Sequence, residues 1–210
     1  MGGVLADNLH WYQGWGEGTF DKDLEKQVEK ARLAAWYKIR DDPTYPVGQF
    51  WGDVLTAAGL TSRFTPEECN EILISGFRPY YGTLALAQRL SGRGYTIAIC
   101  SNHAKEWFEE IMARFRVADI FSKPDLVLAS YAAGCSKPTP EMFNMVLERL
   151  RVHHPGLLPE EVVLVDDQKK NTTAAASFGM RAILFDAAVQ PPLDLVNALH
   201  DLGVVSREQA

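Results

Sequence analysis

Residues Val162–Asp186 read VVLVDDQKKNTTAAASFGMRAILFD. An unbroken apolar run such as Val162–Val165 is the mark of a strand buried on both faces, because a half-exposed strand would alternate. Asp166 and Asp167 end that run at once. Thr172–Phe178 is alanine-rich and reads as a helix, with Gly179 placed to stop it. Arg181–Phe185, RAILF, is the next strand. Strand, helix and strand in so short a span predict a parallel β-α-β unit. In parallel sheets, ligand-binding groups gather at the carboxyl ends of the strands, which is where the two aspartates fall.

The same rhythm extends outward. Thr83–Ser91 reads as an amphipathic helix, Tyr95–Cys100 (YTIAIC) as a buried strand and Ala104–Phe115 as a helix. Leu126–Ser130 (LVLAS) is a further strand, followed by helices over Pro140–Leu150 and, near the end, Leu193–Leu202. Before Phe77 the pattern changes. Asp21–Ile39 puts Leu24, Val28, Ala31, Leu33, Ala35 and Trp36 close to one helical stripe. Phe50–Ala58 is a short helix stopped by Gly59. Thr65-Pro66-Glu67-Glu68 has the form of an N-cap, a first-position proline and first-turn acids, opening a helix through about Ile74. This part contains no strand pattern, so the fold class is α/β with a separate helical module.

Composition narrows the function. The 210 residues are 47% hydrophobic and 23% charged, an ordinary globular mix. A net charge of −6 argues against nucleic acid or an anionic membrane as the main partner. Cys69, Cys100 and Cys135 are widely spaced and form no C-x-x-C pair, so neither a disulfide framework nor a zinc site is expected. Neither a transmembrane span nor a signal peptide is legible, and a soluble, cytoplasmic protein is the expectation.

Three strand ends carry chemistry. Ser101-Asn102 follows YTIAIC, Ser136-Lys137-Pro138 lies between LVLAS and the next helix, and Asp166-Asp167 follows VVLV, with Asn171 beyond. A hydroxyl and an amide near a helix start can hold phosphate oxygens, a lysine neutralises them, and paired carboxylates suit Mg²⁺. Each feature alone also fits a turn, a solvated loop or a helix cap. Three of them in order, each at a strand end, predict a phosphoryl site.

The series CSN, CSKPTPEMF and VLVDDQKKN with a following A-x-x-x-G resembles motifs II, III and IV of the haloacid dehalogenase-like hydrolases. The resemblance implies a Rossmann-like parallel sheet core with a small α-helical cap: residues 1–9 as a remnant of motif I, 10–78 as the cap and 79–210 as the core. It implies that Ser101 and Asn102 contact the phosphate or a leaving halide. Lys137 would steady the nucleophile and the substrate charge, and Asp166 would pair with Lys137 or support the metal shell. Asp167 would ligate Mg²⁺.

That family's first motif is a strand ending in an aspartate nucleophile. Met1-Gly2-Gly3-Val4-Leu5 resembles the tail of this motif, which puts the nucleophile one residue before Met1 and leaves the Gly2 carbonyl as a metal ligand. Without the central strand, the expectation is two unpaired inner edges and a hole in the core. As written, the chain is expected to be inactive. It would be part of a longer enzyme, or a binding protein whose core a partner strand completes; a homodimer is the other partner expected. The activity implied is a Mg²⁺-dependent phosphatase acting on a small phosphorylated metabolite through an aspartyl-phosphate, with 2-haloacid dehalogenation as the alternative. Asp7 is a weak substitute nucleophile. Trp11, Tyr12, Trp15, Trp36, Tyr37, Trp51 and Phe77 would form the cap's core or line a pocket. His103 could approach the substrate or act as a cap, whereas His153-His154 lack metal-ligand partners.

Overall fold

The computed structural model describes residues 2–7 and 21–205; Trp11, Tyr12 and Trp15 lie outside them. Helix α1 (Lys22–Asp41) starts on Asp21, whose carboxylate accepts from the N–H groups of Asp23 and Leu24 at 3.0 and 2.8 Å. Helix α2 (Val47–Ala57) begins right after Pro46, earlier than the expected Phe50, because Val47 is itself buried. Helix α3 (Pro66–Gly76) has the cap read from Thr65-Pro66-Glu67-Glu68: the Thr65 hydroxyl accepts from Glu68 N–H, and the Glu68 carboxylate accepts from Thr65 N–H. Val28, Ala35 and Ile39 of α1 are buried in one cluster with Phe50, Trp51 and Val54 of α2.

Helix α4 (Tyr81–Gly92) leads into the α/β part. Strand β1 (Ile99–Ser101), helix α5 (Lys105–Arg114), a short α6 (Val117–Ile120) and strand β2 (Val127–Ala129) follow. After α7 (Ser130–Ala133) come α8 (Pro140–His153), β3 (Val163–Asp166), α9 (Lys169–Phe178), β4 (Arg181–Leu184) and α10 (Pro192–Asp201). The α/β class read from the sequence holds. Three of the four strands are shorter than expected, because a ladder is only as long as its shorter member, and β3 keeps its length but is shifted by one residue. A 3₁₀ turn takes up Pro124–Leu126 and Ser130 enters α7, so β2 offers partners to only Ile99, Cys100 and Ser101. Helix α9 starts before the expected Thr172, since the Asp166 carboxylate accepts from Gln168 N–H at 2.9 Å and turns the chain immediately after β3.

Both sheets are parallel, with Ile99 opposite Val127 in one and Val163 opposite Arg181 in the other. Among the described residues β1 pairs only with β2 and β3 only with β4. Between the pairs lies an apolar cavity of about 620 Å³, bordered by Ile97 and Cys100 on one side, Val163 and Val165 on the other, and by Val4 and Leu86. This gap overturns one expectation. Val163, Leu164 and Val165 were read as fully buried and are only half-buried, because among the described residues no strand lies on the inner flank of β3. Helix α8 backs both pairs: Met142, Val146 and Leu150 pack with Leu126 and Leu128, and Phe143 and Leu147 with Ala175 and Met180.

The Gly2–Asp7 turn is pinned over the carboxyl ends of the strands. Tyr80 N–H donates to Leu5 C=O at 3.0 Å, Asp7 N–H to Arg78 C=O at 2.8 Å and Ala187 N–H to Gly3 C=O at 2.8 Å. Gly3 has φ +75°, and a Cβ there would sit 2.4 Å from Asp167 Cγ. Both its backbone and its surroundings therefore demand glycine.

Candidate functional site

The three strand-end features meet at one place. Asp166, the last residue of β3, is buried and forms an ion pair with the equally buried Lys137 at 2.6 Å. The Lys137 ammonium also donates to Cys100 C=O, on β1, at 2.6 Å. One side chain thus spans the gap between the two strand pairs. The second Asp166 oxygen accepts from Asn171 Nδ2 at 2.8 Å and from Gln168 N–H. Asn102 clasps the backbone of Lys137 from both sides: its Nδ2 donates to Lys137 C=O at 2.7 Å and its Oδ1 accepts from Lys137 N–H at 2.8 Å. Ser101, buried at the end of β1, lies beside them.

Electrostatics follow from this packing. Burial works against the Asp166 carboxylate, but the Lys137 charge and the donors around it outweigh that and hold Asp166 below the usual carboxylate range. Burial likewise opposes the Lys137 ammonium, yet the neighbouring Cys100 sulfur and Asp166 carboxylate favour it, so Lys137 stays above the usual lysine range. Asp167 goes the other way. Burial and the adjacent Asp166 charge raise it, leaving a carboxylate that a cation would relieve.

All six residues singled out in the sequence (Gly2, Ser101, Asn102, Lys137, Asp166 and Asp167) line one cavity of about 440 Å³, a size typical of small-molecule sites. Asp7 lines it too and accepts from Tyr80 Oη at 3.2 Å. The sequence reading missed Glu29, Arg32 and Arg40 of α1, which form part of the wall. Their spacing at 29, 32, 33, 36 and 40 is a second helical stripe, and it was the available signal. The histidines separate. His153 pairs with Asp125 at 2.5 Å and His154 contacts Thr96 at 2.6 Å, both at the surface, whereas His103 lines the cavity. Burial pushes the Cys100 and Cys135 thiols up, so neither is poised as a thiolate.

Burial also pushes His103 down to about 4. Its folded pKa lies below the unfolded value near 6.5, so the native state binds fewer protons and stability falls as pH drops through that window. Between pH 7 and 5 the wild type should lose about 2 kcal/mol more than His103→Gln, measured by urea denaturation. Equal losses in the two proteins would show that His103 titrates normally.

Among the described residues no group of three His, Cys, Asp or Glu side chains could enclose a metal. What is present suits Mg²⁺ rather than a metal with a closed ligand cage. Asp167 supplies a carboxylate oxygen, the Gly2 backbone faces the same cavity, and Asn171 Oδ1 is buried without a hydrogen-bond partner among the described residues. A few hard oxygen donors with room for water is how Mg²⁺ is usually held.

A model of the haloacid dehalogenase-like hydrolases matches residues 10–179. The chain belongs to that family. Among curated relatives, this HAD-like chain is 32% identical over 169 residues to a phosphoserine phosphatase of Thermus thermophilus, covering 76% of the chain and 59% of that protein. The chain spans about half the length of the curated relatives it matches. Among solved structures it is similar to a HAD-family enzyme of Bacteroides thetaiotaomicron in complex with magnesium and inorganic phosphate. The TM-score is 0.66 at 22% identity, covering 90% of this chain and 93% of that one. It is also similar to the L-2-haloacid dehalogenase of Xanthobacter autotrophicus, with TM-score 0.59 at 19% identity, covering 99% and 82%. These likenesses agree with the Rossmann-like α/β fold of the HAD-like chain. No described helix is long and apolar enough to cross a membrane.

Proposed function

We propose that this chain carries the substrate-binding and metal-binding parts of a Mg²⁺-dependent phosphohydrolase that acts on a small phosphorylated metabolite. The observation that carries this reading is the cavity floor, where a charged Lys137–Asp166 pair sits beside a second carboxylate, Asp167, which burial and the Asp166 charge hold above the usual carboxylate range. Ser101 and Asn102 would hold phosphoryl oxygens, and Lys137 would neutralise charge building on the transferring group. Asp167 and the Gly2 carbonyl would hold Mg²⁺, which aligns and neutralises the phosphoryl group when bound. Asp166 orients Lys137 through the 2.6 Å ion pair. The nucleophilic carboxylate belongs on a strand between β1 and β3, and residues 10–78 act as the cap over a core of residues 79–210. The phosphoserine phosphatase among the curated relatives supports phosphoryl chemistry. The partner is a small molecule rather than nucleic acid or membrane, and the setting is the cytoplasm. A partner strand would fill the space between β1 and β3, and a homodimer is the other partner proposed.

Calorimetric titration with inorganic phosphate tests the reading. Binding should be measurable with Mg²⁺ and weaken at least about tenfold without it. Metal-independent binding of 2-chloropropionate, with none of phosphate, would overturn it in favour of the dehalogenase.

A further inference from the structure

We propose that the wall of the 440 Å³ cavity selects phosphomonoesters whose alcohol part is a flat, uncharged aromatic ring system; this rests on the phosphohydrolase reading above. Helix α1 carries two faces. Val28, Ala35 and Ile39 are buried against the other helices, whereas Glu29, Arg32, Leu33, Trp36 and Arg40 face the cavity. Core packing explains the first face; on the second it accounts for part of Trp36, which also packs against the core cluster, but not for Glu29, Arg32, Leu33 or Arg40. Leu33 is 43% exposed and Tyr37 51% exposed, both at the cavity wall. Scattered exposed apolar side chains are unremarkable, but a cluster bordering a polar floor is what a ligand pocket presents.

The aromatic part of this wall is held in place. Trp36 lies nearly parallel to Trp107, at 7° with centroids 6.3 Å apart, and Phe50 stands edge-on to Trp107 at 5.1 Å. The Trp107 indole N–H donates to Asn70 Oδ1 at 2.8 Å, which fixes the ring from its far end. Rigid rings contribute contact area without ordering cost. The charges of the wall are already matched. Arg32 Nε and Nη2 donate to the two Glu29 carboxylate oxygens at 2.8 and 2.6 Å, and Arg40 is paired with Asp41 and covers the Tyr37 ring. A second anionic group on the substrate would therefore compete with Glu29 or Asp41 for its cation. A neutral ring would not. Lys170, the remaining cation in the lining, follows the Asp166–Asp167 floor on α9 and adds to the phosphate end.

Calorimetric titration of the chain with Mg²⁺ would compare four probes: 1-naphthyl phosphate, glycerol 3-phosphate, inorganic phosphate and 1-naphthol. The naphthyl ester should bind at least about tenfold tighter than the glycerol ester. Trp36→Ala should remove most of that difference and leave inorganic phosphate binding unchanged. Leu33→Ser, at an exposed position that does not threaten folding, should act in the same direction with a smaller effect. Equal affinity for the two esters, with inorganic phosphate still bound, would overturn the aromatic selection and leave the phosphohydrolase reading standing. Binding of 1-naphthol without any phosphate binding would overturn that reading, and the proposal with it. Binding of none of the four would overturn both.

Discussion

Lys137→Met should cost about 3–5 kcal/mol of stability in urea denaturation, the range for breaking a buried ion pair on one side. Lys137 and Asp166 are both almost fully buried, and removing the ammonium leaves the Asp166 charge, among the described residues, with Asn171 and the Gln168 N–H as its donors. The position of the pair adds to the loss. The same ammonium holds Cys100 C=O on β1 and Asp166 on β3, and among the described residues no strand joins those two sheets. The double variant Lys137→Met/Asp166→Asn should recover a large part of the loss, because no uncompensated charge then remains. A single-variant cost below about 1 kcal/mol would mean that solvent reaches Asp166 easily and that the pair does not tie the sheets together.

Asp167→Asn should have two effects of opposite sign. Without metal the variant should be more stable than the wild type near neutral pH, since a carboxylate with a raised pKa is one that folding disfavours in its charged form. With Mg²⁺ at a hundredfold excess over its dissociation constant, the wild type should gain about 2.7 kcal/mol. The variant should gain almost nothing. Thermal melts of both proteins with and without Mg²⁺ would check both signs. A variant that still responds to Mg²⁺ would move the metal away from Asp167.

Much of the site was legible because of a sharp transition that the chain repeats. Apolar runs end abruptly in Ser101-Asn102 and Asp166-Asp167, and the parallel sheets bring both ends to one edge. Strand length was not legible, since it belongs to a pair of strands: YTIAIC is apolar throughout, but β2 allows pairing only from Ile99. The clasp of Lys137 by Asn102 joins loops 35 residues apart, and nothing local in either stretch announces it. Leu33 and Trp36 were grouped with Val28 and Ala35 because all four fall within one broad apolar arc. Hydrophobicity alone does not tell an arc that meets protein from one that meets a ligand.

The two faces of α1 bear on how such a protein diverges. Exchanges at Glu29, Arg32 or Leu33 alter what the cavity admits and, at partly exposed positions, change stability by about 0.5 kcal/mol or less. Val28, Ala35 and Ile39, which hold the helix to its neighbours, are left untouched by them. On the proposed reading, ligand preference would drift through many single substitutions without an unstable intermediate, while the floor residues stay the same. One helix separates inheritance of the fold from inheritance of the diet.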